Sequence, residues 1–142
     1  MTNYQMMNEI SGIKTRLTNL QVQSNALKQN FFDYIEGLSS EYKLLENINR
    51  NDFSFEIFGN KLKIKSTYDS TDSSFQGKFS IMVQTIFNGV ITFEDLIYFN
   101  FNNIGNIKFS DDKTAKYYHA DFAESFYIAM MNKLFESDKF EL

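Results

Sequence analysis

Residues 10–48 read ISGIKTRLTNLQVQSNALKQNFFDYIEGLSSEYKLLENI. Twelve positions in this stretch follow one another at alternating steps of three and four residues, and ten of the twelve are apolar or aromatic. These positions, called the apolar seam below, are Ile10, Ile13, Leu17, Leu20, Ser24, Leu27, Phe31, Tyr34, Leu38, Glu41, Leu45 and Ile48. A repeat of 3.5 residues over five heptads predicts a helix whose apolar stripe faces another helix.

The length of the seam predicts self-association. An unbroken helix would extend for about 60 Å at 1.5 Å per residue, and a single domain of 142 residues has too little other surface to cover it. We therefore expect a homodimer, parallel or antiparallel. Its predicted interface consists of Ile10, Ile13, Leu17, Leu20, Leu27 and Phe31.

The helix has one possible break, between Gly37 and Ser40. Either serine of the Ser39-Ser40 pair is a good N-cap for a new helix. Two interpretations stay open: one continuous helix, or a long helix followed by a short second helix over residues 41–49. In both, the seam continues through Leu45 and Ile48 as helix.

Residues 51–110 have the pattern of a four- or five-stranded antiparallel meander. Apolar and polar residues alternate on both sides of Gly59-Asn60, and Asn88-Gly89 supplies a second two-residue turn. Both patterns are typical of β-hairpins. Consecutive apolar residues in the later strands, such as 81–83 and 96–99, indicate strands covered on both faces. We expect the C-terminal helix on one face, and the N-terminal helix or a second subunit on the other.

Residues 111–142 complete the predicted α+β domain, which spans 1–142. Ser110, Asp111 and Asp112 have the character of a helix start. Apolar residues then recur at helical spacing to about Ser137, which predicts a C-terminal amphipathic helix. The recurring positions are Ala115, Tyr118, Phe122, Phe126, Ala129, Met130 and Leu134.

Composition narrows the class of protein. The chain has no cysteine, which excludes disulfides, thiolate nucleophiles and cysteine metal sites. The N-terminus lacks the pattern of a secretory signal, and no run of eighteen apolar residues occurs. These features predict a cytoplasmic protein without a membrane segment.

Charge argues against direct nucleic-acid binding. The formal net charge is −4, with seven acidic against four basic residues over 111–142. Lys61, Lys63 and Lys65 alternate with Leu62 and Ile64, so they share one strand face. We interpret them as edge-strand lysines that block aggregation, because no arginine or aromatic residue is interleaved with them as a nucleic-acid stripe requires.

Little in the sequence points to catalysis. His119 is the only histidine, and on a helix it would have alanines rather than carboxylates four residues away. No glycine-rich phosphate loop or nucleophile elbow occurs, so we expect no cofactor, no metal and no catalytic residue. The acidic pairs 69/72, 94/95 and 111/112 leave one enzymatic alternative, a metal-assisted hydrolase. A phenylalanine-rich pocket for an apolar ligand is a further alternative.

The sequence favours a non-catalytic protein-binding module that inhibits, neutralises or chaperones another protein. An acidic binder suits a basic partner, because complementary charge speeds association. Binding residues favour loops on a rigid scaffold, and the predicted loops at 69–74 and 110–112 are acidic. The predicted partner-binding residues are Asp69, Asp72, Phe75, Asp111 and Asp112.

Overall fold

The computed structural model describes residues 2–42, 45–68, 77–109, 118–119 and 123–137. The elements in chain order are α1 (Asn3–Tyr42), β1 (Leu45–Asn49), β2 (Ser54–Ile57), β3 (Asn60–Tyr68), β4 (Gly77–Phe87), β5 (Val90–Phe101), β6 (Asn106–Phe109), β7 (Tyr118–His119) and α2 (Ala123–Glu136). This order confirms the predicted α+β class: a long helix, an antiparallel meander and a final helix. Within the described residues the sheet has seven strands, two more than the upper prediction, since β1 and β7 lie in segments predicted as helix.

Helix α1 is one continuous element of 40 residues, so the alternative with a break at Gly37 to Ser40 is wrong. Its first turn is closed by a reciprocal capping box. The Gln5 amide donates to Thr2 Oγ1 at 3.1 Å, and the Thr2 amide donates to Gln5 Oε1 at 2.8 Å. Near the other end, the Ser39 hydroxyl donates to the Leu45 carbonyl at 2.8 Å, which ties the helix to the strand that follows.

The seam positions Leu45 and Ile48 belong to strand β1, not to a helix as predicted. Leu45 pairs with Ile57, and the register shifts between Glu46 and Asn49. Asn47 lies within this shift in a left-handed conformation, at φ 51°. The extra residue of such a bulge returns Ile48 to the face of Leu45, so a bulged strand reproduces the three-residue spacing of a helix.

All strand pairs are antiparallel and follow chain order. The turn at Asn88-Gly89 is where the sequence predicts it, with both residues at positive φ, 51° and 77°, as a type I′ turn requires. The other turn is formed by Phe58-Gly59, at φ 51° and 81°. It lies one residue before the predicted position, since Asn60 already pairs with Ile57 in the ladder.

Both helices cover the same face of the sheet. The Phe31 ring lies 5.7 Å from that of Phe55 on β2, and the Phe126 ring lies 4.6 Å from that of Phe99 on β5. Tyr127 connects α2 to α1: its ring centroid lies 5.9 Å from that of Phe31 on α1 and 5.6 Å from that of Phe126 on α2. The alternative in which α1 and α2 cover opposite faces is therefore wrong, and a second subunit on the other face stays a prediction.

Helix α2 begins at Ala123, later than the sequence predicts. Tyr118, which was assigned to its apolar face, lies in β7 and pairs with Ile107. The predicted start at Ser110 to Asp112 lies outside the described residues. From Phe126 onward the predicted spacing is confirmed: Phe126, Met130 and Leu134 are all fully buried.

Arg50, in the turn between β1 and β2, fixes α1 to the sheet. Its guanidinium donates to Glu36 Oε1 at 2.8 Å and to Gln29 Oε1 at 2.9 Å, and it also contacts Asp33. The hydrogen bond from Arg50 lowers the pKa of the Glu36 carboxyl. All of these contacts lie on the second half of the helix, which the sheet covers.

Candidate functional site

The structure divides the apolar seam into two parts. Leu20, Leu27 and Phe31 are buried inside the domain, at 1–2% exposure. Ile10, Ile13 and Leu17 are exposed by 60%, 48% and 42%. The body of the domain, meaning the sheet, α2 and residues 20–42 of α1, therefore covers only the second part of the predicted interface.

Residues 3–19 of α1, called the N-terminal arm below, project from the body. Every described residue from 2 to 19 is exposed, and the arm is about 25 Å long at 1.5 Å per residue. At 100° per residue, the mean direction of its apolar stripe, formed by Met6, Ile10, Ile13 and Leu17, lies about 50° from that of the buried residues Leu20, Leu27 and Phe31. One continuous stripe thus passes from solvent into the core.

A second exposed apolar surface lies at the end of the β4–β5 hairpin. This hairpin tip, residues 84–93, carries four large apolar side chains that are 59–74% exposed. They are Ile86, Phe87, Val90 and Ile91. Thr85 and Thr92 support the tip with a hydrogen bond of 2.8 Å between their hydroxyls. Among the described strands, only β4 pairs with β5 before Phe99.

The N-terminal arm and the hairpin tip lie at opposite ends of the molecule. Ser24, next to the arm, donates a 2.8 Å hydrogen bond to Ser66 near the end of β3. At the other end of the helix, Ser39 contacts Leu45, which pairs with Ile57 beside the β2–β3 turn. Because the hairpin tip continues β4 beyond Val83, on that second side, the two apolar surfaces point away from each other.

An apolar groove separates α1 from α2 at the end of the body near the hairpin tip. It has a volume of about 280 Å³ and is lined by Tyr34, Leu38, Leu45, Ile128, Met131, Asn132 and Phe135. Ile128 and Phe135 are 47% and 42% exposed. Ligand pockets usually enclose about 300–1,000 Å³, so this groove is small for a small-molecule site.

The sheet face away from the helices is basic and partly aromatic. Lys63 Nζ lies 5.9 Å from the centroid of the Phe93 ring, and Lys78 Nζ lies 4.3 Å from that of Tyr98. Lys78 also forms a 3.3 Å ion pair with Asp95. Both aromatic residues belong to β5, which lies one strand beyond β4 from β3, so the sequence pattern of β3 alone does not show them. The edge-strand interpretation of the β3 lysines is wrong, because β3 lies between β2 and β4.

The residues considered for catalysis do not form a site in the described part of the chain. His119 lies in β7 rather than on a helix, and its Nε2 lies 3.0 Å from the Ile104 carbonyl. Glu94 and Asp95 are consecutive strand residues, so their side chains point to opposite faces. No group of three histidine or acidic residues within the described ranges is arranged to hold a metal ion.

All five predicted partner-binding residues, Asp69, Asp72, Phe75, Asp111 and Asp112, lie outside the described residues. The hairpin tip and the interhelical groove are not among the predicted surfaces. For the tip a signal was present: Ile86, Phe87, Val90 and Ile91 flank a two-residue turn symmetrically. Residues next to a hairpin turn lie at the end of the two strands, where other elements of the domain seldom pack against the sheet.

Comparison with protein-family models, with curated proteins and with solved structures finds no match to this chain. No helix in the described residues combines the length and apolarity needed to cross a membrane.

Proposed function

We propose that this protein is a non-catalytic protein-binding module of the cytoplasm. In this proposal it associates with a second copy through the N-terminal arm, and it inhibits, neutralises or chaperones a basic protein partner. The two exposed apolar surfaces at opposite ends of the body support a division of roles. The arm serves self-association, and the hairpin tip serves the partner.

The observation that carries the proposal is the exposure of the arm. A lone helix of about this length is marginal in water, and Gly12 lowers its stability further, by about 1 kcal/mol relative to alanine. Only association buries an apolar stripe on such a segment. A stripe with a coiled-coil repeat fits another helix of the same repeat. A second copy of this chain carries such a helix in its own N-terminal arm.

The hairpin tip supports a separate surface for the partner. Four exposed apolar side chains on a two-residue turn form a compact projection that fits a cleft in another protein. The net charge of −4 favours a basic partner, since opposite charge accelerates association. The predicted acidic residues at 69, 72, 111 and 112 stay part of this proposal.

Self-association is tested by Leu17→Asp, with Val22→Asp as the matched control. Val22 is on the same helix and is 59% exposed, but it points away from the seam. Light scattering on purified protein at tens of micromolar should find dimers for the wild type and for Val22→Asp, and monomers for Leu17→Asp. A wild type that is monomeric at this concentration would refute self-association.

Partner binding is tested by the double variant Phe87→Asp/Ile91→Asp. Proteins captured from a lysate of the source cells by the wild type are purified, and their affinity is measured by titration calorimetry. The proposal expects a stoichiometric complex that the double variant loses and Val22→Asp keeps. A complex of unchanged affinity would remove the hairpin tip from the function.

A second candidate function rests on the interhelical groove. Its lining is almost entirely apolar, and Asn132 alone offers an amide, which suits a small apolar ligand better than a metal-assisted reaction. Titration with a fluorescent fatty acid tests it, with Met131→Glu as the blocking variant. Binding that the wild type shows and Met131→Glu lacks would favour a ligand carrier, and absence of binding to the wild type would exclude one.

A further inference from the structure

The body restricts how a second copy can approach the arm. Beyond Leu20 the seam face of α1 is occupied by the domain's own sheet and by α2. Packed helices lie only about 8–10 Å apart. In a parallel pair, each helix would continue alongside the other beyond Leu20, into the space that the other copy's body fills. The parallel arrangement is therefore sterically excluded.

Within the described residues, an antiparallel pair meets no such obstacle. In an antiparallel pair, the numbers of any two facing residues, one from each copy, add up to the same value. We choose the register in which this value is 23, so that Ile10 faces the partner's Ile13 and Met6 faces the partner's Leu17. The partner's helix then begins opposite Leu20, the first seam residue that the body buries. In this register the partner's helix therefore pairs with the arm over its whole length.

We propose that a second copy of this chain docks antiparallel on the N-terminal arm in this register. The inference rests on the proposed self-association and adds its direction and alignment. Eight apolar side chains fill the interface: each copy contributes Met6 and the three seam residues Ile10, Ile13 and Leu17. The two bodies lie at opposite ends of the paired arms, and the two hairpin tips point outward.

Charges beside the seam agree with this register. Glu9 and Arg16 each lie one residue before an a position of the seam, Ile10 and Leu17, and are therefore g positions. In an antiparallel pair, g positions of the two helices lie beside each other. Glu9 therefore lies beside the partner's Arg16, and the two-fold axis repeats this ion pair.

The end of the body offers further apolar contact. Tyr68 and Ile104 are exposed by 41% and 65%, at the end of the sheet from which the arm projects. Gly105 places this rim beside the helix, because a Cβ built on it would lie 3.5 Å from Gln23 Oε1. In the proposed register, the first turn of the partner's helix lies next to Tyr68 and Ile104. These two side chains and that turn therefore bury part of each other's surface.

Disulfide trapping tests the direction, since the chain has no native cysteine. Met6→Cys and Leu17→Cys are oxidised separately and as a mixture. In the antiparallel register only the mixture forms a crosslinked dimer, because two copies of either variant hold their cysteines about 16 Å apart along the axis, beyond the reach of a disulfide. Crosslinking of either variant with itself would overturn the inference, as would a dimer that crosslinks in no combination.

Charge reversal supplies a second test by sedimentation equilibrium. Arg16→Glu should raise the dimer dissociation constant several-fold, and Glu9→Arg/Arg16→Glu should restore it. Lys14→Glu is the matched control with little effect, whereas a parallel pair would place Lys14 beside Glu9. If the wild type does not dimerise, the proposed self-association fails. If it dimerises but follows the Lys14 pattern, the antiparallel inference alone fails.

Discussion

The two halves of α1 share one helix and one 3.5-residue repeat, but they differ in what covers the repeat. Over residues 20–42 the sheet and α2 bury it, and Arg50 forms hydrogen bonds to three side chains of this half of the helix. Over residues 3–19 the same pattern faces solvent. The repeat thus shows that a helix face needs a partner, while the reach of the sheet decides whether that partner belongs to the same chain.

The largest contrast between the halves is expected from truncation of one seam side chain in each. Leu27→Ala should lower the free energy of unfolding by about 2–5 kcal/mol, because it leaves a cavity in a packed core. Ile13→Ala should leave the unfolding free energy of the monomer within about 0.5 kcal/mol while weakening the dimer. Urea denaturation at low micromolar concentration measures both. Equal losses for the two variants would contradict the division of the helix.

A pair of glycines sharpens the same contrast at smaller magnitude. A Cβ on Gly77 would lie 2.3–2.6 Å from the Phe101 ring, so Gly77→Ala should destabilise the body by about 1–3 kcal/mol through overpacking. Gly12 has no atom within 4 Å of such a Cβ. Gly12→Ala should therefore stabilise the arm, by about 1 kcal/mol at most.

Thermal unfolding followed by circular dichroism measures the first effect, and helix content at low concentration measures the second. A rise in melting temperature for Gly77→Ala would show that the Phe101 ring does not close over the glycine. Helix content that does not rise in Gly12→Ala would show that position 12 is not helical in the monomer.

The smallest loss of stability inside the body is expected at Ser24, the buried polar position of the seam. Ser24 is 1% exposed and donates to the partly exposed Ser66, so Ser24→Ala should cost about 0.5–1.5 kcal/mol, the net contribution of one hydrogen bond. The double variant Ser24→Ala/Ser66→Ala should recover part of that loss. Strictly additive losses in a double-mutant cycle by urea denaturation would show that the two hydroxyls do not interact.

Local signals in the sequence predicted much of the fold. The Asn88-Gly89 turn depends only on residues that accept positive φ, and the periodicity of α1 extends over many turns, so both were predictable. The β1 strand was not, because the bulge at Asn47 gives Leu45 and Ile48 a helical spacing. Tyr118 was misplaced for a similar reason, since a two-residue strand has no periodicity of its own.

The candidate surfaces were less predictable, because exposure depends on where the body ends. Ile86, Phe87 and Ile91 have the composition of core strands, and only the end of the neighbouring β3 leaves them uncovered. Likewise, nothing in the sequence distinguishes Leu17 from Leu20, although one is exposed and the other buried. Tertiary cover, rather than local pattern, separates interface from core.

Hydrogen exchange of the α1 amides as a function of protein concentration distinguishes an arm covered by a second copy from one covered by its own body. The account predicts that amides of residues 20–42 exchange slowly at every concentration, because the body protects them. Amides of residues 3–19 should exchange rapidly in dilute solution and become protected as the concentration rises through the range of dimer formation. Protection of residues 3–19 that is independent of concentration, or their rapid exchange in the most concentrated sample, would contradict the account.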